Sequence, residues 1–253
     1  MAELHRFASF DGAEIAFETL GEGWPVILIH GLFSTAELNW VRYGHAQRVS
    51  DAGARVILPD QRAHGRSAKP RTAEGWPPDA LGRDILALIA HLALDPGGYD
   101  LGGYSLGART TVRAVTLGAQ PRRAVLAGMG LEGLTGATRR GEAFTRAIDH
   151  RSEHKPGSWE WYAMQFARAN GTDLDSARFL LQDFASIDAA GLAAAMTMPT
   201  LVVCGDADRD NGSAPALAAA LPQARLVDIP GTHVTAVTQP SLGDAIAAWV
   251  RGS

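Results

Sequence analysis

The chain has 253 residues, 46% of them hydrophobic and 20% charged, and this balance excludes a largely disordered protein. Its formal net charge of −4 argues against a nucleic-acid-binding protein, because such a protein normally presents a basic face. Cys204 is the single cysteine, so no internal disulfide can form and an oxidising compartment is not required.

Short apolar runs alternate with helical patterns along most of the chain. Alternating apolar residues predict a half-exposed strand at 14–20, and short apolar runs predict strands at 26–29, 55–58, 99–104, 123–127, 200–204 and 224–229. Apolar residues at helical spacing predict helices over 79–92, 106–117 and 242–250. Strands separated by helices form βαβ units, so this order predicts an α/β fold with a mostly parallel, doubly wound sheet.

The stretch 131–195 breaks the alternation, because it contains helical patterns and no good strand. It is rich in large apolar side chains: Phe144, Trp159, Trp161, Tyr162, Met164, Phe166, Phe179, Leu180, Leu181 and Phe184. No Ser/Pro-rich linker bounds it, so a helical insertion fits better than a separate domain. We therefore predict a core made of 1–130 and 196–253, with a small helical cap over 131–195 inserted before the last two strands.

A candidate nucleophile lies between the predicted strand 99–104 and the predicted helix 106–117. The segment Gly103-Tyr104-Ser105-Leu106-Gly107 matches the pattern G-x-S-x-G. In this pattern the serine is held in strained backbone geometry at a tight strand-to-helix turn. The neighbouring chain comes so close that only glycine fits two residues before and after it. The strand and helix that the motif requires are both predicted, so we interpret Ser105 as a nucleophile.

A serine hydroxyl needs a neighbouring base, and the base needs an acceptor that fixes its tautomer. His233 is the candidate base, because it follows the last predicted strand in a loop that can return to the edge of the sheet. The acid follows strand 200–204, at a strand end that faces the ligand side of the sheet. On the residues alone, Asp206, Asp208 and Asp210 compete for this role.

An oxyanion formed by attack on a carbonyl group needs two preorganised N–H donors. One donor is the residue after the nucleophile, Leu106. The other belongs to the loop after the strand 26–29, and we assign it to Leu32, with Phe33 as the alternative. Side chains take no part in this donation, so the sequence identifies the second donor poorly.

Together these residues resemble the α/β-hydrolase family, and the resemblance covers nearly the whole chain. It rests on His30-Gly31, the segment from Asp60 to Ser67, the Gly103–Gly107 turn, a Gly-x-x-Asp ending at Asp208, and His233. The resemblance favours Asp208 as the acid, and it implies that the cap covers the active site and shapes the substrate pocket. Serine as the nucleophile makes the chain similar to esterases, lipases, C–C bond hydrolases and acyltransferases, and unlike the aspartate-nucleophile dehalogenases and epoxide hydrolases.

Two positions depart from the pattern of that family. Ala63 stands where the family usually has glycine in the segment after the strand 55–58, a small change in a turn. The family often has an acidic residue two positions before the proline that follows the histidine, and Thr238 stands there before Gln239-Pro240. This affects a packing or capping detail rather than the set Ser105, Asp208 and His233.

The sequence thus predicts a serine esterase that forms an acyl-enzyme and needs no metal or organic cofactor. Its expected partner is a small-molecule ester or acyl substrate, contacted by Phe33, Tyr104, Met129, Trp159 and Tyr162. C–C bond cleavage, acyl transfer on the same residues, and a non-catalytic small-ligand receptor remain as alternatives. No signal peptide and no apolar run of about 18 residues is found, so we expect no membrane span and a cytoplasmic location.

Two further motifs match other functions less well. Gly128 to Gly133 fits the dinucleotide-binding pattern G-x-G-x-x-G, but these glycines should open a long helix, and turn residues follow instead. His150 and His154 fit the zinc-protease pattern H-x-x-E-H, but Lys155-Pro156-Gly157 ends the helix at once.

Overall fold

Eight strands form one sheet in the computed structural model, which describes residues 2–252. The strands are β1 Glu3–Ala8, β2 Glu14–Leu20, β3 Trp24–Ile29, β4 Ala54–Pro59, β5 Asp100–Tyr104, β6 Arg123–Ala127, β7 Thr200–Gly205 and β8 Ala224–Ile229. Their order in the sheet is β1-β2-β4-β3-β5-β6-β7-β8. The pairs β1–β2 and β2–β4 are antiparallel and all other pairs are parallel, which confirms the predicted mostly parallel sheet.

Residues 2–252 contain eleven α-helices, nine between strands and two after β8. They are α1 His45–Asp51, α2 Ala80–His91, α3 Leu106–Thr116, α4 Leu131–Thr135, α5 Ala137–Asp149, α6 Trp159–Ala169, α7 Leu174–Gln182, α8 Ala189–Ala195, α9 Ala214–Ala220, α10 His233–Ala236 and α11 Pro240–Arg251. A π-helical turn at Glu37–Val41 and a 3-10 turn at Ala73–Gly75 complete the set. None of the helices in this part of the chain has the length and apolar character to cross a membrane.

The parallel strands are apolar throughout because helices cover both faces of the sheet. In β3, Ile27 and Ile29 point to the face covered by α2 and α3, while Val26 and Leu28 point to the opposite face with α1 and α11. Alternate side chains of a strand point to opposite faces, so a strand buried on both sides reads as an unbroken apolar run. Because β5, β6, β7 and β8 are parallel, their carboxyl ends lie at the same end of the sheet, next to the candidate site residues.

The stretch 131–195 forms five helices, and the structure divides it more finely than the sequence analysis did. Leu134 of α4 and Leu192 of α8 are buried in the main core, where α4 packs on α9 and α8 on α3. The helices α5, α6 and α7 instead share a separate apolar cluster with Phe33 and Leu106. We use the word cap for these three helices, because they cover the end of the sheet that carries Ser105.

Candidate active site

Ser105 lies at the junction of β5 and α3, in a backbone conformation that residues with side chains rarely adopt. Its φ is 54° and its ψ is −108°. Such a conformation stores strain, which the surrounding structure must hold. A side chain at Gly103 would collide with the backbone of Gly107, and one at Gly107 would collide with the Ile29 carbonyl group. The two glycines therefore let β3, β5 and α3 approach closely enough to hold Ser105 at the tip of the turn.

We predict that Gly107→Ala destabilises the protein by about 3 kcal/mol or more, because the new methyl group overlaps the β3 backbone, which cannot move away. Urea unfolding measures this change. Ala108→Gly, at the next position of α3, is the matched control and should cost about 1 to 2 kcal/mol. If Gly107→Ala lowers the free energy of unfolding no more than Ala108→Gly does, the close approach of α3 to the β3 backbone is contradicted.

Three side chains from distant parts of the chain form one chain of hydrogen bonds. His233 Nε2 lies 2.9 Å from Ser105 Oγ, and His233 Nδ1 lies 2.8 Å from Asp208 Oδ2. His233 begins α10 directly after β8, and Asp208 lies in the turn after β7. With Nδ1–H donating to the carboxylate, Nε2 is left with a lone pair that can accept the serine proton.

Asp208 is the one of the three competing acids that reaches His233. Its side chain is buried, and its Oδ1 accepts a hydrogen bond from the Asp210 backbone N–H at 3.0 Å. Burial by itself would raise the pKa of the Asp208 carboxyl, but the hydrogen bond and charge of His233 bring that pKa below its ordinary value. The Asp206 carboxylate instead accepts from the Gly231 N–H at 2.9 Å.

Cys204 lies behind this carboxylate, with its Sγ atom 3.6 Å from Asp208 Oδ2. Burial and the Asp208 charge raise the pKa of Cys204 to about 12. The thiolate is the reactive form of cysteine. We therefore predict that iodoacetamide at pH 8 leaves native Cys204 unmodified and alkylates it fully in guanidinium chloride, as intact-protein mass spectrometry can measure. Alkylation of the native protein as fast as glutathione would contradict this burial.

Two backbone N–H groups near Ser105 are free to bind an oxyanion. Leu106 is the first residue of α3, so its N–H has no partner within the helix. Within residues 2–252 the N–H of Leu32 makes no hydrogen bond, whereas the N–H of Phe33 donates to His64 Nε2 at 3.0 Å. The Phe33 N–H is thus already engaged, whereas the described residues offer no hydrogen-bond acceptor to the N–H of Leu32.

His30 and His64 hold the loop that carries Leu32. His30 Nε2 accepts from the Gln61 N–H at 2.9 Å, and His64 Nδ1 contacts the Arg62 carbonyl oxygen at 2.8 Å. Burial lowers the pKa of both imidazoles, and burial together with the neighbouring His30 brings the pKa of His64 to about 3. Both rings are therefore neutral and fully used in holding the loop, and neither is free to act as a base.

A cavity of about 540 Å³ lies between Ser105 and the cap. Of the residues predicted to contact substrate, Phe33, Trp159 and Tyr162 line it. Tyr104 lines a second, smaller cavity of about 130 Å³ that also borders Ser105, and its hydroxyl donates to the His233 carbonyl oxygen at 2.7 Å.

The expectation that Met129 contacts substrate is corrected by the structure. The Met129 side chain is fully buried and lines neither of these two cavities. It packs against Gly133 and belongs to the same core cluster as Leu134 and Met196. A methionine shortly after β6 is drawn into the core because α4 folds back over it.

Several cavity residues were not identified from the sequence: Arg109, Arg140, Phe144, Phe166 and Phe184. Of these, Arg109 could have been predicted from its position in the sequence. It stands four residues after Ser105 in a predicted helix, and residues four apart lie on the same helix face. The others depend on how the cap folds over the sheet.

The two remaining motifs do not form sites of the kind that their patterns suggest. α5 ends at Asp149, so His150 and His154 lie beyond it, and His154 Nε2 contacts the Ala147 carbonyl oxygen at 2.6 Å. Gly130 packs against the Gly212 backbone, and the helix that follows, Leu131–Thr135, is short.

The comparisons with known proteins agree with this architecture. The model of the Alpha/beta hydrolase family matches residues 26–248. Over 134 residues the chain is 31% identical to a non-heme haloperoxidase of Rhodococcus erythropolis, a match covering 49% of this chain and 47% of that protein. Over 94 residues it is 30% identical to a soluble epoxide hydrolase of Corynebacterium sp. (strain C12), covering 37% of this chain and 31% of that protein. The matches thus span less than half the length of these curated relatives.

A solved structure shows the same fold over the full length. A thermophilic esterase from Thermogutta terrifontis superposes with a TM-score of 0.76 at 24% identity, and the match covers 99% of this chain and 98% of that one. At this identity the likeness concerns the fold and leaves the substrate open.

Proposed function

The chain belongs to the α/β-hydrolase family, and on that premise we propose that it is a serine hydrolase that cleaves a carboxylic ester or a similar acyl substrate. The observation that carries this proposal is the unbroken chain of hydrogen bonds from Ser105 through His233 to Asp208. The strained backbone of Ser105 and the cavity beside its hydroxyl group support it further.

The proposed reaction has two halves. In the first, Ser105 Oγ attacks the carbonyl carbon of the ester while His233 Nε2 takes its proton, and the N–H groups of Leu32 and Leu106 bind the oxyanion. His233 then gives the proton to the leaving alcohol, and the acyl-enzyme remains. In the second half, His233 removes a proton from water, the hydroxide attacks the acyl carbon, and Ser105 leaves with the proton returned from His233.

Asp208 supports both halves without exchanging a proton. Its lowered pKa keeps it ionised, so it accepts from His233 Nδ1–H and stabilises the imidazolium ion formed after proton transfer. The proton acceptors and donors of this sequence of steps are all groups of the chain, the substrate and water.

A series of p-nitrophenyl esters with acyl chains from acetyl to decanoyl tests the proposed activity. We expect turnover of at least one ester that exceeds the rate of the Ser105→Ala protein by several orders of magnitude. If no ester in the series is hydrolysed faster than by that variant, the proposal of ester cleavage is wrong.

The cap aromatics are predicted to control chain-length preference more than chemistry. Trp159 and Tyr162 are half exposed and line the cavity. Trimming either to alanine removes apolar wall, so we expect the ratio of kcat/KM for long and short acyl chains to change by roughly threefold to tenfold. Trp161→Ala, at a position outside the cavity lining, is the control for Trp159→Ala. Unchanged kcat/KM ratios in both variants would mean that these rings contribute to packing of the cap and do not select the acyl chain.

A second candidate function is acyl transfer to hydrogen peroxide, which the name of the Rhodococcus relative favours. In this reaction peroxide takes the place of water, attacks the acyl-enzyme, and releases a peracid and free Ser105. Bromination of monochlorodimedone in acetate, peroxide and bromide measures it. Bromination no faster than by Ser105→Ala would reject this candidate.

The full triad argues against a non-catalytic receptor, because a protein that only binds a ligand has no use for all three residues. C–C bond cleavage is compatible with the same residues. Hydrolysis of the p-nitrophenyl esters supports ester cleavage over C–C bond cleavage. We also keep a cytoplasmic location as part of the proposal, in line with the free, buried Cys204.

A further inference from the structure

A buried arginine forms part of the cavity wall and, among the described residues, makes no hydrogen bond or ion pair through the enclosed atoms of its guanidinium group. Arg109 lies on α3, and its residue is 6% exposed. Its Nε and Nη1 atoms are enclosed, and within residues 2–252 neither finds a hydrogen-bond acceptor. The ring of Phe184 lies against the guanidinium group, with the ring centroid 4.6 Å from Arg109 Cζ. Buried charges in proteins are normally paired, so this arginine needs an explanation.

The second arginine of the cavity, Arg140, differs in this respect. It donates to the backbone carbonyl oxygen of Asp210, and although burial lowers its pKa, the charges of Asp210 and Asp208 act to raise it. Arg109 has no such compensation. Burial and, to a smaller extent, the Arg140 charge lower the pKa of Arg109 to about 9. Arg109 is thus still a cation near neutral pH, and Arg140 adds to the positive potential around it.

Two carboxylates near Arg109 do not neutralise it. Asp210, the acidic residue among those lining the cavity, acts on Arg140. Asp183 lines a small neighbouring cavity together with Arg109, but neither enclosed nitrogen of the guanidinium group donates to it. Burial and the charge of Asp79 raise the pKa of Asp183 to about 6, so it is mostly ionised at neutral pH, but the arginine whose charge acts on it is Arg113 rather than Arg109. The Arg109 charge therefore stays uncompensated in the free protein.

We propose that Arg109 binds a carboxylate group of the substrate, so that the preferred substrate is an ester carrying a carboxylate at the end of a short carbon chain. This inference rests on the proposed serine-hydrolase function. A guanidinium group presents a planar fork of donors that matches a carboxylate. The single positive charge of Arg109 is balanced by a ligand with one negative charge. A carboxylate carries one negative charge, whereas a phosphate monoester dianion carries two.

The rest of the cavity fits the carbon chain of such a substrate. Phe144, Trp159 and Phe184 give the wall an apolar, aromatic character. Arg109 stands one helical turn after Ser105, a separation of about 6 Å along the helix axis. Both residues line the same cavity, so one substrate molecule can contact Ser105 and Arg109 together.

Matched pairs of esters test this proposal. Monoethyl glutarate is compared with ethyl 5-methylhexanoate, and 4-acetoxybutanoate with 4-methylpentyl acetate. In each pair an isopropyl group replaces the carboxylate, so the charge changes while the shape hardly does. We expect kcat/KM for at least one carboxylate ester to exceed that of its neutral partner by about tenfold or more, and Arg109→Met to lower this ratio by about tenfold or more.

Two further variants separate charge recognition from a general loss of structure. Arg109→Lys keeps the charge without the planar fork and should retain part of the preference, and it carries the test if Arg109→Met does not fold by circular dichroism. Arg139→Met removes an exposed charge beside Arg140 and should leave the ratio at the wild-type value. Equal kcat/KM within both pairs, or an unchanged ratio in the Arg109 variants, would overturn the proposal.

A binding measurement distinguishes failure of this inference from failure of the proposed function. Glutarate is titrated into the Ser105→Ala protein by calorimetry, with and without Arg109→Met. If none of the four esters is hydrolysed but glutarate binds in an Arg109-dependent way, the carboxylate site stands and the hydrolase proposal fails. If neutral esters are hydrolysed and glutarate does not bind, the hydrolase proposal stands and the carboxylate site is wrong.

Discussion

Replacing Ser105 with alanine is expected to lower kcat for ester hydrolysis by roughly 10⁴-fold to 10⁶-fold while leaving the fold intact. The variant lacks the oxygen that forms the acyl-enzyme, so the remaining rate comes from the oxyanion donors and from binding alone. Alanine also fits the site sterically, because it removes one atom and keeps the Cβ that the turn already accommodates. Steady-state kinetics on the best ester of the series measures the loss.

The control for this variant is Ser152→Ala, which removes the hydroxyl of an exposed serine in the turn after α5. It should retain wild-type kcat. Circular dichroism and urea unfolding of both variants show whether the fold is kept. A folded Ser105→Ala protein with wild-type turnover would exclude Ser105 as the nucleophile.

Asp208→Asn is expected to lower kcat by roughly 10⁴-fold, the loss known for the equivalent change in a serine protease. An asparagine amide can donate to His233 Nδ1, which favours the tautomer with the proton on Nε2. That tautomer cannot accept the proton of Ser105. Combined with Ser105→Ala, the change should add little, because residues that act as a unit are strongly non-additive.

Asp206→Asn is the matched control, because it makes the same chemical change two residues away. Asp206 accepts one hydrogen bond from Gly231 N–H, and the asparagine carbonyl oxygen can accept it equally. We expect its kcat to stay within about threefold of wild type. If Asp206→Asn were the damaging change and Asp208→Asn the mild one, the assignment of the acid would be reversed.

The parts of the fold that local pattern determines were predictable from the sequence. The run Val26 to Ile29 is apolar throughout because both faces of β3 are covered, and the pattern indicated this. β1 was not predicted, because an edge strand with Leu4 44% exposed has no strong apolar pattern. The turn around Ser105 was predictable because the glycines that it needs lie within five residues of one another.

Contacts between distant segments were not predictable. Spacing cannot tell which way the Asp206 and Asp208 side chains point, since that depends on how the turn after β7 meets the loop after β8. The N–H of Phe33 is taken by His64, which lies 31 residues away along the chain. Met129 closely follows β6, at the strand end where pocket residues are expected, yet the return of α4 buries it.

Ala63 shows how a departure from the family pattern can be read. It adopts a φ of 70°, the left-handed region that favours glycine, at the position where the family usually has glycine. The turn is kept because the Ala63 N–H donates to the Ala68 carbonyl oxygen and its own carbonyl oxygen accepts from the Asp173 N–H. The glycine of the family pattern thus indicates a left-handed backbone conformation, and Ala63 adopts this conformation although it is not glycine.

The most direct test of the central claim is covalent labelling with a fluorophosphonate, followed by mass spectrometry of the intact protein and of its peptides. We expect one adduct per chain, located on Ser105, and no adduct on the Ser105→Ala protein. His233→Ala should label far more slowly, because the serine then lacks its base. No adduct on the folded wild-type protein, or an adduct on another residue that persists in Ser105→Ala, would contradict a nucleophilic Ser105.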